Sequence, residues 1–287
     1  MRWSAGGRKP LRLFAVLAAA AGLTALLLVP ADRGAAGGPV PGSPAAGRDA
    51  AGAAGASPGG QAFGGVAAVG ALFSENTGRL GTHFCTATVV HSPHGDLAVT
   101  AAHCLSGTSR PVAFVPGYAN GQQPYGIWQV TRVYTDEAWQ SGQDPDHDVA
   151  FLQVSPASDG TRLEDVTGAE QLGTGWAAPT LVQVVGYPNG TDQPVLCANW
   201  AKSFSPTQLE FDCGGYTNGT SGGPFLAGLS GASGAPGASG ASTASGQGTV
   251  IGVIGGYQQG GDTPEVSYSA VFGAAVAVLF ETAEAGG

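Results

Sequence analysis

The chain has 287 residues, 43% of them hydrophobic and 49 of them glycine, which suits one globular domain of moderate size with low-complexity segments. Its formal net charge is −9, and an acidic surface repels phosphates, so nucleic-acid binding is excluded as a main role. The four cysteines have neither the pairing nor the nearby histidines of a zinc site; no metal and no cofactor is expected.

Residues 1–30 carry Arg2, Arg8, Lys9 and Arg12, then the uncharged apolar run Leu13–Val29, followed by the small residues Ala31, Ala35 and Ala36. This order reads as a secretory signal peptide. The apolar run also reaches the lower limit for a membrane span, so a tether to the membrane is the alternative if it stays uncleaved. Its removal takes four basic residues and no acid, moving the charge from −9 to −13 and leaving Lys202 as the one lysine. No cysteine precedes Cys85, so a lipid-modified N-terminal cysteine is not expected. All four cysteines lie in the exported part, which fits two disulfides and an oxidising, extracellular compartment.

Residues 31–61 are Ala, Gly, Pro and Ser with almost no bulky side chains. They bury too little apolar surface to offset ordering entropy, and read as a disordered linker or short propeptide. Order is expected to begin near Phe63. From there short apolar runs alternate with Gly, Pro and Asn: Val66–Phe73, Phe84–Val90, Leu97–Thr100, Ile127–Val133, Val149–Val154, Leu181–Gly186, Leu209–Phe211 and Val250–Ile254. Many short β-branched runs separated by turn signals predict an all-β antiparallel barrel or sandwich. A second Gly/Ala/Ser tract, residues 229–248, reads as an enlarged hairpin loop, tolerable because closure entropy grows slowly with length. Val271–Glu281 has the composition of one closing helix.

Three stretches carry the chemistry. In Asn218-Gly219-Thr220-Ser221-Gly222-Gly223-Pro224-Phe225 a serine sits among glycines. There the backbone can turn sharply, and the amides of Gly219 and Ser221 can face the charge that builds on an attacked carbonyl oxygen. A Gly-rich turn is the plain reading of this string alone. In Val99-Thr100-Ala101-Ala102-His103-Cys104 a histidine ends an apolar run beside a cysteine whose natural partner is Cys85. Such a bridge holds the imidazole rigidly, as a general base requires. In Asp146-His147-Asp148-Val149-Ala150-Phe151-Leu152 the aspartate directly before the apolar run, Asp148, is placed at the strand start. Buried beside a histidine it would fix the tautomer and stabilise the imidazolium; Asp146 and His147 are expected to face solvent.

Taken in the order His, Asp, Ser, these stretches resemble the signature of the trypsin/chymotrypsin-like serine peptidases, closest to the secreted bacterial members. The resemblance covers residues 62–281 and implies two antiparallel six-stranded β-barrels with a short C-terminal helix and a cleft between the barrels. It implies His103 as general base, Asp148 as its orienting carboxylate, Ser221 as nucleophile and the amides of Gly219 and Ser221 as oxyanion hole. Polypeptides are then the substrates, and a monomer is expected. The alternative is a catalytically silent relative that binds peptides; an intact triad and a glycine at the oxyanion position argue against it.

Several departures from the family pattern bear on function. Thr220 stands where an aspartate usually precedes the nucleophile, so the activation switch built on that aspartate is not expected. The usual Ser-Trp-Gly after the pocket-wall strand is Gly255-Gly256-Tyr257, which leaves open how Asp148 is satisfied. Cys197 and Cys213 are expected to pair near the specificity pocket. The residue at the trypsin pocket floor is Gly215, and no histidine follows His147 to build a glutamate-selecting pocket. Glu265 is the acid left to select Arg or Lys, or else it lies on the rim of a neutral pocket. The five histidines lack metal-ligand spacing, and Pro93 between His91 and His94 argues against a helical metal pair.

Overall fold

The computed structural model describes residues 58–229 and 247–286. The expected leader (1–30), nearly all of the expected linker (31–61) and most of the expected loop (229–248) lie outside them. In chain order the elements are β1 (Gln61–Ala62), β2 (Val69–Asn76), β3 (Arg79–Val89), β4 (Leu97–Thr100), β5 (Val112–Pro116), β6 (Trp128–Tyr134), α1 (Glu137–Gly142), β7 (Ala150–Val154), α2 (Leu163–Thr167), β8 (Gln171–Leu172), β9 (Thr180–Gly186), β10 (Val195–Ser203), β11 (Gln208–Asp212), β12 (Pro224–Ala227), β13 (Thr249–Val253), β14 (Val266–Ala270) and α3 (Ala274–Ala285).

The first six-stranded unit closes as a barrel in the order β2-β3-β4-β7-β6-β5. Its opening hairpin turns at Thr77 and Gly78, both at positive φ, with Asn76 paired to Arg79. Two left-handed central residues match the twist of the flanking strands. The interior is filled by Leu72, Val89, Leu97, Phe114, Phe151 and Leu152, all at most 1% exposed, and closure leaves no free strand edge.

The second unit is a curled antiparallel sheet, β14-β11-β10-β9-β12-β13, with β8 added parallel to β13 and β1 added to β10. Its two ends meet just past β13, where Gly255 N–H donates to Tyr268 O at 2.9 Å and Val253 N–H to Ser269 Oγ at 3.0 Å. Val184, Phe211, Phe225 and Ile251 fill its core. The described chain thus pairs with this unit from Pro58 onwards, ahead of Phe63. Gly60 N–H donates to Gly214 O and Gly214 N–H to Pro58 O, both at 2.7 Å. Main-chain pairing of this kind needs no side chain to bury, which is why a Gly/Pro-rich stretch can make it.

Val69, Phe73, Val115, Val185, Tyr187 and Leu196 form one apolar layer drawn from both units. At the C-terminus α3 buries Val276, Leu279 and Ala283, a single helical face. Phe280 packs on Phe151 of the first barrel at a centroid distance of 5.1 Å. The chain end therefore straps the second unit to the first. Two disulfides are present, Cys85–Cys104 and Cys197–Cys213. The first joins β3 to the turn after β4 and contributes roughly 3 kcal/mol in the chain-entropy view.

Candidate active site

His103 lies in a single 3-10 turn, Ala102–Leu105, at the end of β4. The preceding strand is wholly buried and Cys104 is bridged to β3, so the ring is carried on a fixed base. Asp148 lies just before β7, the strand paired with β4, which brings it beneath the histidine. Its side chain has no exposed surface. A buried carboxylate needs donors, and three converge on it. His103 Nδ1 is 2.7 Å from Oδ2, His103 N–H donates to Oδ1 at 2.8 Å, and Gly256 N–H donates to Oδ2 at 2.9 Å. An ionised carboxylate only accepts, so Nδ1 carries the proton and Nε2 is left as the acceptor.

The Gly256 amide answers how Asp148 is satisfied with Gly255-Gly256-Tyr257 in place of the usual Ser-Trp-Gly. Gly256 has φ 75° and ψ −128°, a conformation closed to residues with a side chain. A Cβ there would also meet Ala270 N at 2.9 Å. The adjacent Gly255 is equally confined, since a Cβ would come within 3.0 Å of Asp148 Oδ2.

Ser221 opens into the same cleft as His103, together with Phe84, Asn189, Gly219, Gln258 and Asp262. His103 Nε2 lies 3.9 Å from Cys104 Sγ, and Ser221 Oγ hydrogen-bonds to no described residue. The serine is held through its backbone: Thr86 N–H of β3 donates to Ser221 O at 2.7 Å, and Gly222 N–H donates to Ile254 O at 2.7 Å. Before it, Thr220 is tucked in by its hydroxyl and its amide, both donating to Thr217 O. Gly219 has φ 97°, and a Cβ would strike Tyr187 O. Among the described residues the amides of Gly219 and Ser221 donate to no acceptor. Two unengaged N–H groups beside a serine suit an anionic oxygen.

Thr86 was not legible as a site residue. Its hydroxyl accepts from Tyr187 N–H at 3.0 Å and donates to Gly219 O at 3.1 Å, tying the serine loop to the first barrel. Asn189 borders the same cleft and was also missed.

Beside Ser221 a cavity of about 440 Å³ is lined by Tyr216, Thr217, Asn218, Ile254, Gln259–Gly261, Asp262, Thr263 and Pro264. The sequence-nominated pocket residues Gly215, Gly255, Gly256, Tyr257 and Glu265 are outside this lining. After Gly256 the chain leaves the extended form and makes a turn, Tyr257–Gly260, with Gln258 and Gln259 at positive φ. Glu265 is exposed, and its carbonyl accepts from Cys213 N–H at 2.9 Å. Asp262 is the charged residue of the lining and accepts from Gln258 Nε2 at 2.5 Å. Tyr216 donates its hydroxyl to Val184 O, and burial pushes its pKa up, so it remains uncharged.

Asp146 and His147 are half-buried, not facing solvent as expected. Asp146 accepts from Gln208 Nε2 at 2.7 Å, and His147 Nδ1 pairs with Asp136 Oδ2. The one cluster of candidate metal ligands among the described residues is Cys85, His103 and Cys104. Both cysteines are used in the disulfide, and a bridged sulfur is not a thiolate ligand.

The profile of the Trypsin family matches residues 63–274. Among solved structures the chain is similar to the protease Anisep from Arthrobacter nicotinovorans, at 23% identity and a TM-score of 0.63 over 79% of this chain and 99% of that one. It is similar to a thermostable serine protease, AL20, from an extremophilic microorganism, at 22% identity and a TM-score of 0.62 over 76% and 97%. A Glu endopeptidase matches at 15% identity and a TM-score of 0.59 over 79% and 97%. No curated protein matches in sequence. The family match spans β2 to β14 and every residue of the cleft, and the chain belongs to the trypsin family of serine proteases.

Proposed function

We propose that the protein is a secreted serine endopeptidase that cleaves peptide bonds through Ser221, His103 and Asp148. The observation that carries this reading is the pairing of His103 with the buried Asp148 at 2.7 Å, with His103 opening onto the cleft that holds Ser221. With Nδ1 protonated by the pairing, Nε2 is free to take the Ser221 hydroxyl proton as Oγ attacks the carbonyl carbon. The Ser221–His103 hydrogen bond forms in the substrate complex, since such bonds are often incomplete without substrate. Asp148 then stabilises the imidazolium. Charge on the carbonyl oxygen is met by the amides of Gly219 and Ser221. The imidazolium returns its proton to the departing amine, leaving an acyl-Ser221 ester. A water, activated by His103, releases the acid.

Asp262 in the cavity beside Ser221 supports selection of Arg or Lys on the acyl side, one of the two readings open for Glu265. The oxidised cysteine pairs and the N-terminal leader pattern support an extracellular location. Among the described residues no helix is long and apolar enough to cross a membrane.

The test is labelling with an arginine-type organophosphonate, followed by intact and peptide mass. One adduct on Ser221, absent after Ser221→Ala or His103→Ala, is the expected result. An unlabelled native protein, or an adduct elsewhere, removes the assignment.

A further inference from the structure

A second cavity, of about 450 Å³, lies next to the cleft, bounded by Phe73, His83, Tyr118, Asn189, Thr191 and Asp192. Asn189 borders this cavity, the cavity beside Ser221 and the cleft that holds His103, so the three are contiguous. Phe84 of the cleft is the chain neighbour of His83. A polypeptide whose acyl-side residue fills the cavity beside Ser221 leaves the reacting bond past Gly219, Asn189 and Phe84, towards this second cavity.

The second cavity has one carboxylate, the exposed Asp192, beside the polar groups of Thr82, Asn189 and Thr191. Tyr118 donates its hydroxyl to Asp192 Oδ1 at 2.6 Å. The Tyr118 pKa is pushed up to about 12, by burial first and then by Asp192, so the phenol keeps its proton and the charge stays on the carboxylate. Asp192 Oδ2 is engaged by no described residue. His83 Nε2 lies 2.9 Å from Thr191 O; a carbonyl only accepts, so Nε2 carries a proton and Nδ1 is the ring nitrogen turned away from that carbonyl. That atom is buried, with no donor reaching it among the described residues. Phe73 and Tyr118 meet edge to face at 5.1 Å and offer aromatic surface, along which an alkyl stem and a cation can lie.

We infer that this cavity is a subsite for a Lys or Arg side chain on the leaving-group half of the substrate, an inference that rests on the peptidase reading above. The cation pairs with Asp192, and its stem lies against Phe73 and Tyr118. The chain's overall negative charge attracts such segments at long range.

The test uses internally quenched peptides with a constant acyl half and Lys, Leu or Glu at the first or second residue after the scissile bond. An arginine p-nitroanilide, which has no leaving-group residue, serves as control. At one of the two positions the native enzyme should favour Lys over Glu by about fivefold or more in kcat/KM. Asp192→Asn should bring that ratio close to unity while p-nitroanilide turnover is unchanged. Calorimetric affinity of the Lys peptide for Ser221→Ala, with and without Asp192→Asn, gives a readout independent of turnover. Turnover of the p-nitroanilide without a Lys preference overturns the subsite and leaves the peptidase reading standing. A preference that survives Asp192→Asn also overturns it. An inactive protein whose Ser221→Ala form binds the Lys peptide through Asp192 keeps the subsite and removes the peptidase reading.

Discussion

The hydroxyl of Thr86 donates to the carbonyl of Gly219 at 3.1 Å, across 133 residues of chain. The same hydroxyl accepts from Tyr187 N–H, and Thr86 N–H holds Ser221 O. One first-barrel residue thereby sets the position of the loop carrying Ser221, the proposed nucleophile, and the unengaged amides. Thr86→Val keeps the shape and removes the hydroxyl, stranding a buried N–H and C=O. It should cost about 1–3 kcal/mol in denaturant unfolding and lower kcat by roughly tenfold, as one misaligned oxyanion donor would. A variant with native kcat would show that the loop holds itself.

Gly256 combines a backbone conformation that a side chain forbids with an amide aimed at Asp148. Gly256→Ala is expected to destabilise the fold by about 2–3 kcal/mol and to reduce kcat more than KM, since the carboxylate loses an aligned donor. Thermal unfolding and steady-state kinetics on one preparation would check both. An alanine variant as stable as the native protein would contradict the strain argument.

Asp262→Asn should reduce kcat/KM for Arg substrates by about tenfold, the scale of one partly screened ion pair, with little change for uncharged ones. Glu265→Gln, altering an exposed residue outside the cavity, should leave the profile as it was. The reverse pattern in a peptide-library cleavage profile would return the selector role to Glu265.

Glu170 is 5% exposed, and burial raises its pKa. A raised carboxyl pKa means that the fold prefers the protonated acid, so ionisation above that pKa costs stability. The cost is absent below the unfolded value near 4.5. Its partner, Gly248 N–H, needs only an acceptor, which glutamine also supplies. Glu170→Gln should therefore raise Tm relative to the native protein at about pH 8, with the gain fading towards about pH 4. An equal difference at both pH values would sink this account.

Much of the first barrel could be read in the sequence because its strands are buried runs: Leu97–Thr100 is β4 as expected, and Val149–Val154 contains β7. β10 and β14 were not found. β10 mixes buried Leu196, Cys197 and Ala201 with exposed Trp200, Lys202 and Ser203, and β14 buries Ser267 and Ser269 while Val266 and Tyr268 are half-buried, so neither shows as an apolar run. β5 was lost between Pro111 and Pro116. His103, Asp148 and Ser221 stood out because each sits at the edge of an apolar run or a glycine cluster. Thr86 and Asn189 reach the site through contacts made across the fold, Asp262 borders the cavity just after a local turn, and nothing in their own neighbourhoods marks them. Gly256 was read as a replaced pocket residue, whereas its amide is what matters to Asp148.

The Gly256–Asp148 hydrogen bond spans 108 residues and joins the two β units at the site. Asp148 lies just before the last strand of the first barrel, but one of its donors comes from beyond β13. A first barrel formed alone would enclose a carboxylate served only by His103. The second unit must curl and bring β13 against β14 before that charge is fully matched. The full set of donors to Asp148 therefore exists only where both β units have formed.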